Sequence, residues 1–136
     1  MLKLLCNVVQ FNVKYCVLSL GLLAVLVLIA GVVHDQFVRP FLGDALVVVW
    51  LYALLRTFIK IEHVTAAFVV LVFSCSVEIA QYFKLVHVLG LQDIKLARII
   101  IGSTFDWMDF VAYATGWLII MMVAKGRLRW ASRRLS

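Results

Sequence analysis

Charged residues are scarce in this sequence, 15% of 136, and hydrophobic ones make up 65%. A mean hydropathy of +1.09 excludes a soluble domain, which runs at about half apolar. Such a surface needs lipid as its solvent. Cysteine is thin as well. Cys6, Cys16 and Cys75 are odd in number, and the last two lie in apolar runs where a thiol packs as a small hydrophobe, so no disulfide framework is expected. A lipoprotein-type anchor at Cys6 is set aside, because Leu5 stands where a small residue is required and no full apolar region precedes it. A Gly-rich phosphate loop, a Cys pair and a His-x-x-x-His zinc helix are all missing. His34, His63 and His87 fall at three different loops or span ends, which sets aside a histidine-only metal or haem site. No metal and no cofactor is therefore expected. Carboxylates can hold a divalent cation, but no spacing here identifies one.

What remains is organised around four apolar stretches between charged breaks, roughly 15–33, 41–59, 64–83 and 107–124. Each approaches the roughly 20 residues, at about 1.5 Å of rise apiece, that cross a hydrocarbon core of about 30 Å. The chain is expected to be a single membrane domain over 1–136, an all-α integral membrane four-helix bundle followed by a basic tail at 125–136. The first run is expected to be retained and not cleaved, since it is as long as a full span and Leu28-Ile29-Ala30 makes a poor small-x-small site. Asp44 and Arg56 intrude near the ends of the second run, where a long arginine snorkels to the headgroups. Pro40, the only proline, stands where the second helix begins, a position that loses no needed hydrogen bond.

The stretch 84–106 carries Leu91, Ile94, Leu96 and Ala97 among Gln92, Asp93, Lys95 and Arg98. It is too short and too mixed to span. A short helix, lying at the interface or re-entering the bundle before the last span, is expected there. Ser103 is a candidate cap for the last helix, with Asp106 three residues on, near the positive end of its dipole.

Lys and Arg give the bundle a direction. In a four-span chain the termini and the 56–63 loop hold Lys3, Lys14, Arg56, Lys60, Lys125, Arg127, Arg129, Arg133 and Arg134, nine in all; the other side holds Arg39, Lys84, Lys95 and Arg98. Nine against four places both termini in the cytoplasm of a bacterial-type inner membrane. The net charge of +6 is thereby explained by anionic headgroups, and no nucleic acid partner is expected.

Acids run the other way. Asp35, Asp44, Glu78, Asp93, Asp106 and Asp109 all fall toward the outer side, and only Glu62 lies inside. Glu78 sits within the third apolar run, about 8 Å below its outer end by helical rise. A charged side chain at mid-membrane costs roughly 2.5–3.5 kcal/mol, so a carboxylate even at this depth faces protein or water, or is protonated and bonds a neighbouring helix. Ser74, Glu78 and Gln81 make one polar stripe, and Asp106, Asp109 and Tyr113 make another. Ala112 and Gly116, four apart, permit a close helix approach. Asp35 and Arg39 are spaced to pair on a helical turn, and Asp44 lies in the first turn of the second helix. With Arg98 they compose an outward-facing cup of carboxylates and arginines, and Asp35, Arg39, Asp44, Glu78, Gln81, Arg98, Asp106 and Asp109 are the candidate ligand-binding residues.

Glu78-x-x-Gln81, Arg98, Asp106 to Asp109 and Gly116 together resemble the VanZ-like superfamily of small bacterial membrane proteins. More closely, His34-Asp35, Arg39-Pro40, Gly43-Asp44, residues 78–82 and residues 102–113 resemble a family of short bacterial proteins catalogued only as a domain of unknown function. The resemblance covers roughly 33–118. It implies, for the wider superfamily, an association with resistance to teicoplanin-type glycopeptides, and for the closer family no assigned activity. Tyr113 stands where the superfamily shows an Asn, so no resistance phenotype is carried over.

Four functions fit these residues. The leading one is an envelope protein whose cup binds a membrane lipid headgroup or a lipid-linked cell-wall precursor, with Arg39 and Arg98 on phosphate. The others are an enzyme using Glu78 or Asp109 as base, a proton- or cation-coupled transporter, and a structural subunit of a homo-oligomer or larger membrane complex.

Overall fold

The computed structural model describes residues 2–101 and 105–136. Its helices, in chain order, are α1 (Leu2–Val8), α2 (Val13–Val32), α3 (Val38–Phe58), α4 (His63–Tyr82), α5 (Leu85–Val88), α6 (Lys95–Ile101) and α7 (Trp107–Leu135). Among the described residues the regular structure is all helical apart from one antiparallel bridge, Val9 to Ile59. Helices α2, α3, α4 and α7 are long and apolar enough to cross a membrane, and together they form the expected four-helix bundle. They run up, down, up and down. Asp44, Glu78 and Asp109 therefore share one end of the bundle, and both chain termini share the other.

Local chemistry sets the boundaries. Asn12 caps α2 by accepting from the Lys14 N–H at 3.1 Å. At the other end Asp35 accepts from the N–H groups of Phe37 and Val38 at 2.8 and 3.1 Å, which starts α3 three residues earlier than expected. Pro40 then lies inside the first turn, where its missing donor is not needed. Helix α4 stops at Lys84, whose φ of 51° is left-handed and cannot continue a helix.

Two features depart from expectation. Residues 84–106 form two short helices, α5 and α6, where one was expected, and Gly90 at φ +69° turns between them. The cap of α7 is Asp106 itself, whose carboxylate accepts from the Met108 N–H at 2.9 Å; Ser103 lies outside the described residues. The basic segment 125–136 is helical and continuous with the last span, α7 running on to Leu135, because its Lys, Arg, Leu and Ala are good helix formers without a proline to stop them. Arg133 and Arg134 in its last turn meet the negative end of the helix dipole. One addition was not foreseen: α1 leads into a short backbone pairing in which Gln10 and Asn12 donate to the carbonyls of Phe58 and Thr57, tying the N-terminal segment to the end of α3.

Helix α3 is the centre, packing on α2, α4 and α7, whereas α2 packs on α3 alone among the described residues. Small residues let the backbones close. Ala45, Ala53, Ala66, Ala67 and Ala112 are buried, and a Cβ added at Gly116 would run into the Ala45 carbonyl oxygen and come within 3.0 Å of the Val48 Cβ. Tyr82, Phe83, Phe105, Trp107 and Phe110 meet ring against ring at the acid-bearing end, the position of an interfacial aromatic belt.

Candidate functional site at the acid-bearing end

Three of the long helices each deliver one carboxyl to the same place. Asp44 comes from α3, Glu78 from α4 and Asp109 from α7, each within the last or first two turns. Glu78 has no exposed surface. Its Oε1 accepts the Asp106 N–H at 2.9 Å, and the Tyr113 hydroxyl approaches Oε2 at 3.5 Å. The Asp109 carboxyl lies within hydrogen-bonding reach of both Glu78 and Asp44. Ionised carboxylates only accept, so each carboxyl-to-carboxyl link requires a shared proton. The electrostatic neighbours acting on this group are the acids themselves, Asp106 and Tyr113.

The two polar stripes thus face one another. Ser74, one turn below Glu78, is buried with its hydroxyl unpartnered among the described residues, and Gln81, one turn above, is half-buried. Asp106 serves twice, its backbone N–H on Glu78 and its carboxylate on the α7 cap.

Arginine is distributed differently from expectation. Arg39 does not pair with Asp35, because the Asp35 carboxylate is directed to the first N–H groups of α3. Those two hydrogen bonds hold the exposed Asp35 below the ordinary aspartate range. Instead Arg39 and Asp44 line a common cavity of about 480 Å³ between the ends of α2 and α3, together with His34, Asp35 and Gln36. A recess of about 40 Å³ on the far side of the first turn of α3 is lined by Asp106 and Asp109. Gln36 and Pro40 border both spaces. Arg98 is exposed on α6 and lines neither. The cup is therefore two spaces separated by one helical turn, with one arginine at its larger opening.

At the opposite end lies a polar network that sequence reasoning missed. The Tyr52 hydroxyl is hydrogen-bonded to Nδ1 of His63 at 2.5 Å, the Tyr15 ring stands edge-on to Tyr52, and the Arg56 guanidinium lies 5.0 Å over Tyr15 while donating to the Ile61 carbonyl. Tyr52 and Arg56, four apart on one face of α3, were the available signal.

Residues 33–117 match a family described as protein of unknown function, DUF2809. The chain belongs to that family. The DUF2809 match runs from just after α2 into α7 and contains every candidate acid and arginine of the acid-bearing end, while all of α2 and the basic continuation of α7 fall outside it. No curated protein and no solved structure matches the chain.

Proposed function

We propose that this membrane protein resides in a bacterial inner membrane with both termini in the cytoplasm, and that its outer cavity receives the phosphorylated headgroup of a membrane lipid or lipid-linked cell-wall component. The carrying observation is the cavity of about 480 Å³ that Arg39 and Asp44 line together. A guanidinium matches phosphate bidentately, and a carboxylate beside it matches an amine or hydroxyl of the same headgroup. The aromatic ring contacts at the same end support a position at the lipid interface. Arg39 takes the phosphate role alone, since Arg98 is not on the cavity wall. Distant kinship with the VanZ-like superfamily belongs to the same proposal, supported by the spacing of Glu78, Gln81, Arg98, Asp106, Asp109 and Gly116. Thermal shift of the purified protein against phosphatidylethanolamine, phosphatidylglycerol and an undecaprenyl phosphate tests it. A shift with at least one, lost in Arg39→Ala, is expected; no lipid preference, or an unchanged shift in that variant, sinks the proposal.

A second reading has its own observation. Proton- or cation-coupled transport is favoured by the convergence of three carboxyls from three helices, with Asp109 within reach of both Asp44 and Glu78. Proton-dependent flux in proteoliposomes, abolished in Asp109→Asn, supports it, and flux that survives that variant removes it.

A further inference from the structure

Helices α2 and α7 do not pack on one another, and the gap between them opens as a further cavity, of about 230 Å³, toward the end that carries the termini. Its walls are apolar, with Leu18 and Leu22 from α2, Ile119 and Val123 from α7, and Val49 of α3 as floor. Its polar residues are Tyr15, Tyr52, His63 and Arg127. Tyr52 is hydrogen-bonded to His63, and the Arg56 guanidinium lies over Tyr15 and donates to the Ile61 carbonyl, with its Nε unpartnered among the described residues. Arg127 is different. It is exposed and forms no hydrogen bond with the described residues. It also begins a helical stretch that carries Arg129, Arg133 and Arg134 just past Lys125, and no acid follows Asp109 anywhere in the chain.

From this cavity and its unbalanced charge we infer that the cleft between α2 and α7 is a binding site for one anionic phospholipid of the leaflet next to the termini, an acyl chain in the cleft and the phosphate on Arg127. An acyl chain fits the slot because its walls are aliphatic; a phosphate fits the rim because its cation is unpaired and the surrounding potential is positive. The site is independent of the outer cavity, sharing no lining residue with it.

Native mass spectrometry of the full chain in detergent reads it directly. Phosphatidylglycerol is expected to be retained in preference to phosphatidylcholine, and glycerol phosphate, which has the charge without the chain, is not. Arg127→Gln removes a charge-assisted contact, so affinity for phosphatidylglycerol falls about tenfold, and Arg127→Lys retains most of it. Val123→Trp fills the slot and lowers affinity comparably while leaving Arg127 intact. Arg133→Gln and Arg134→Gln, up to two turns farther along α7, change it less than threefold. Equal retention of the two lipids, equal losses across all four arginine-to-glutamine and tryptophan variants, or undiminished binding in Val123→Trp overturns the inference.

Discussion

A carboxyl enclosed by protein must have donors for its oxygens, and Glu78 finds them in a backbone N–H, a tyrosine hydroxyl and a neighbouring acid. Glu78→Gln keeps an acceptor for the Asp106 N–H and nearly the same volume. Glu78→Ala leaves that N–H buried and unmade beside a void, and should cost about 2–3 kcal/mol of stability against less than 1 for Gln, as measured by thermal or denaturant unfolding in detergent. Equal losses in the two variants would show that the hydrogen bonds are unimportant. Asp35 makes a different demand. Its folded-state value lies below the ordinary 3.8, so its bonds to Phe37 and Val38 stabilise the start of α3 fully above that value and fade as pH falls through the lower one. The amide proton shifts of Phe37 and Val38, followed by NMR in micelles, should titrate with a midpoint below 3.8. Glu78 was legible from sequence because a lone acid interrupts an apolar run. Its partners were less so: Tyr113 and Asp109 lie on a helix some thirty residues away, and only the packing of α4 on α7 brings them to it.

The four long helices were legible at the scale of the element because apolar length alone specifies a span, and because lipid leaves the backbone no other way to satisfy its hydrogen bonds. Their ends were not. The start of α3 depends on a carboxylate turning back on the chain, and the length of α7 depends on propensity beyond the apolar run, where hydropathy is silent. The crossing of α3 with α7 depends on a single missing side chain. Gly116→Ala pushes a methyl into the Ala45 carbonyl and the Val48 side chain, so overpacking should destabilise the bundle by about 1–3 kcal/mol. Gly21→Ala and Gly31→Ala, which meet nothing within 4 Å, should be neutral or slightly stabilising in the same assay. A Gly116 variant as stable as those two contradicts the close approach.

Over the whole molecule, polar chemistry gathers at the two ends of an apolar bundle, with Asp44, Glu78, Asp109, Arg39 and Arg98 at one end and Tyr15, Tyr52, His63 and the long basic helix at the other. That separation was half legible. Counting Lys and Arg predicts the orientation, and thiol labelling of the exposed Cys6 in spheroplasts checks it: Cys6 should be protected from an impermeant reagent until the membrane is opened. The two spaces at the acid-bearing end were not legible, since they depend on which side of the first turn of α3 each acid falls. The central claim, that a phosphorylated headgroup occupies the cavity lined by Arg39 and Asp44, is tested most directly by photo-crosslinking a phospholipid that carries a diazirine on its headgroup. Adducts mapped by peptide mass spectrometry should concentrate in residues 29–47 and disappear in Arg39→Gln. Adducts spread along the lipid-facing length of α2, or unchanged in that variant, would contradict it.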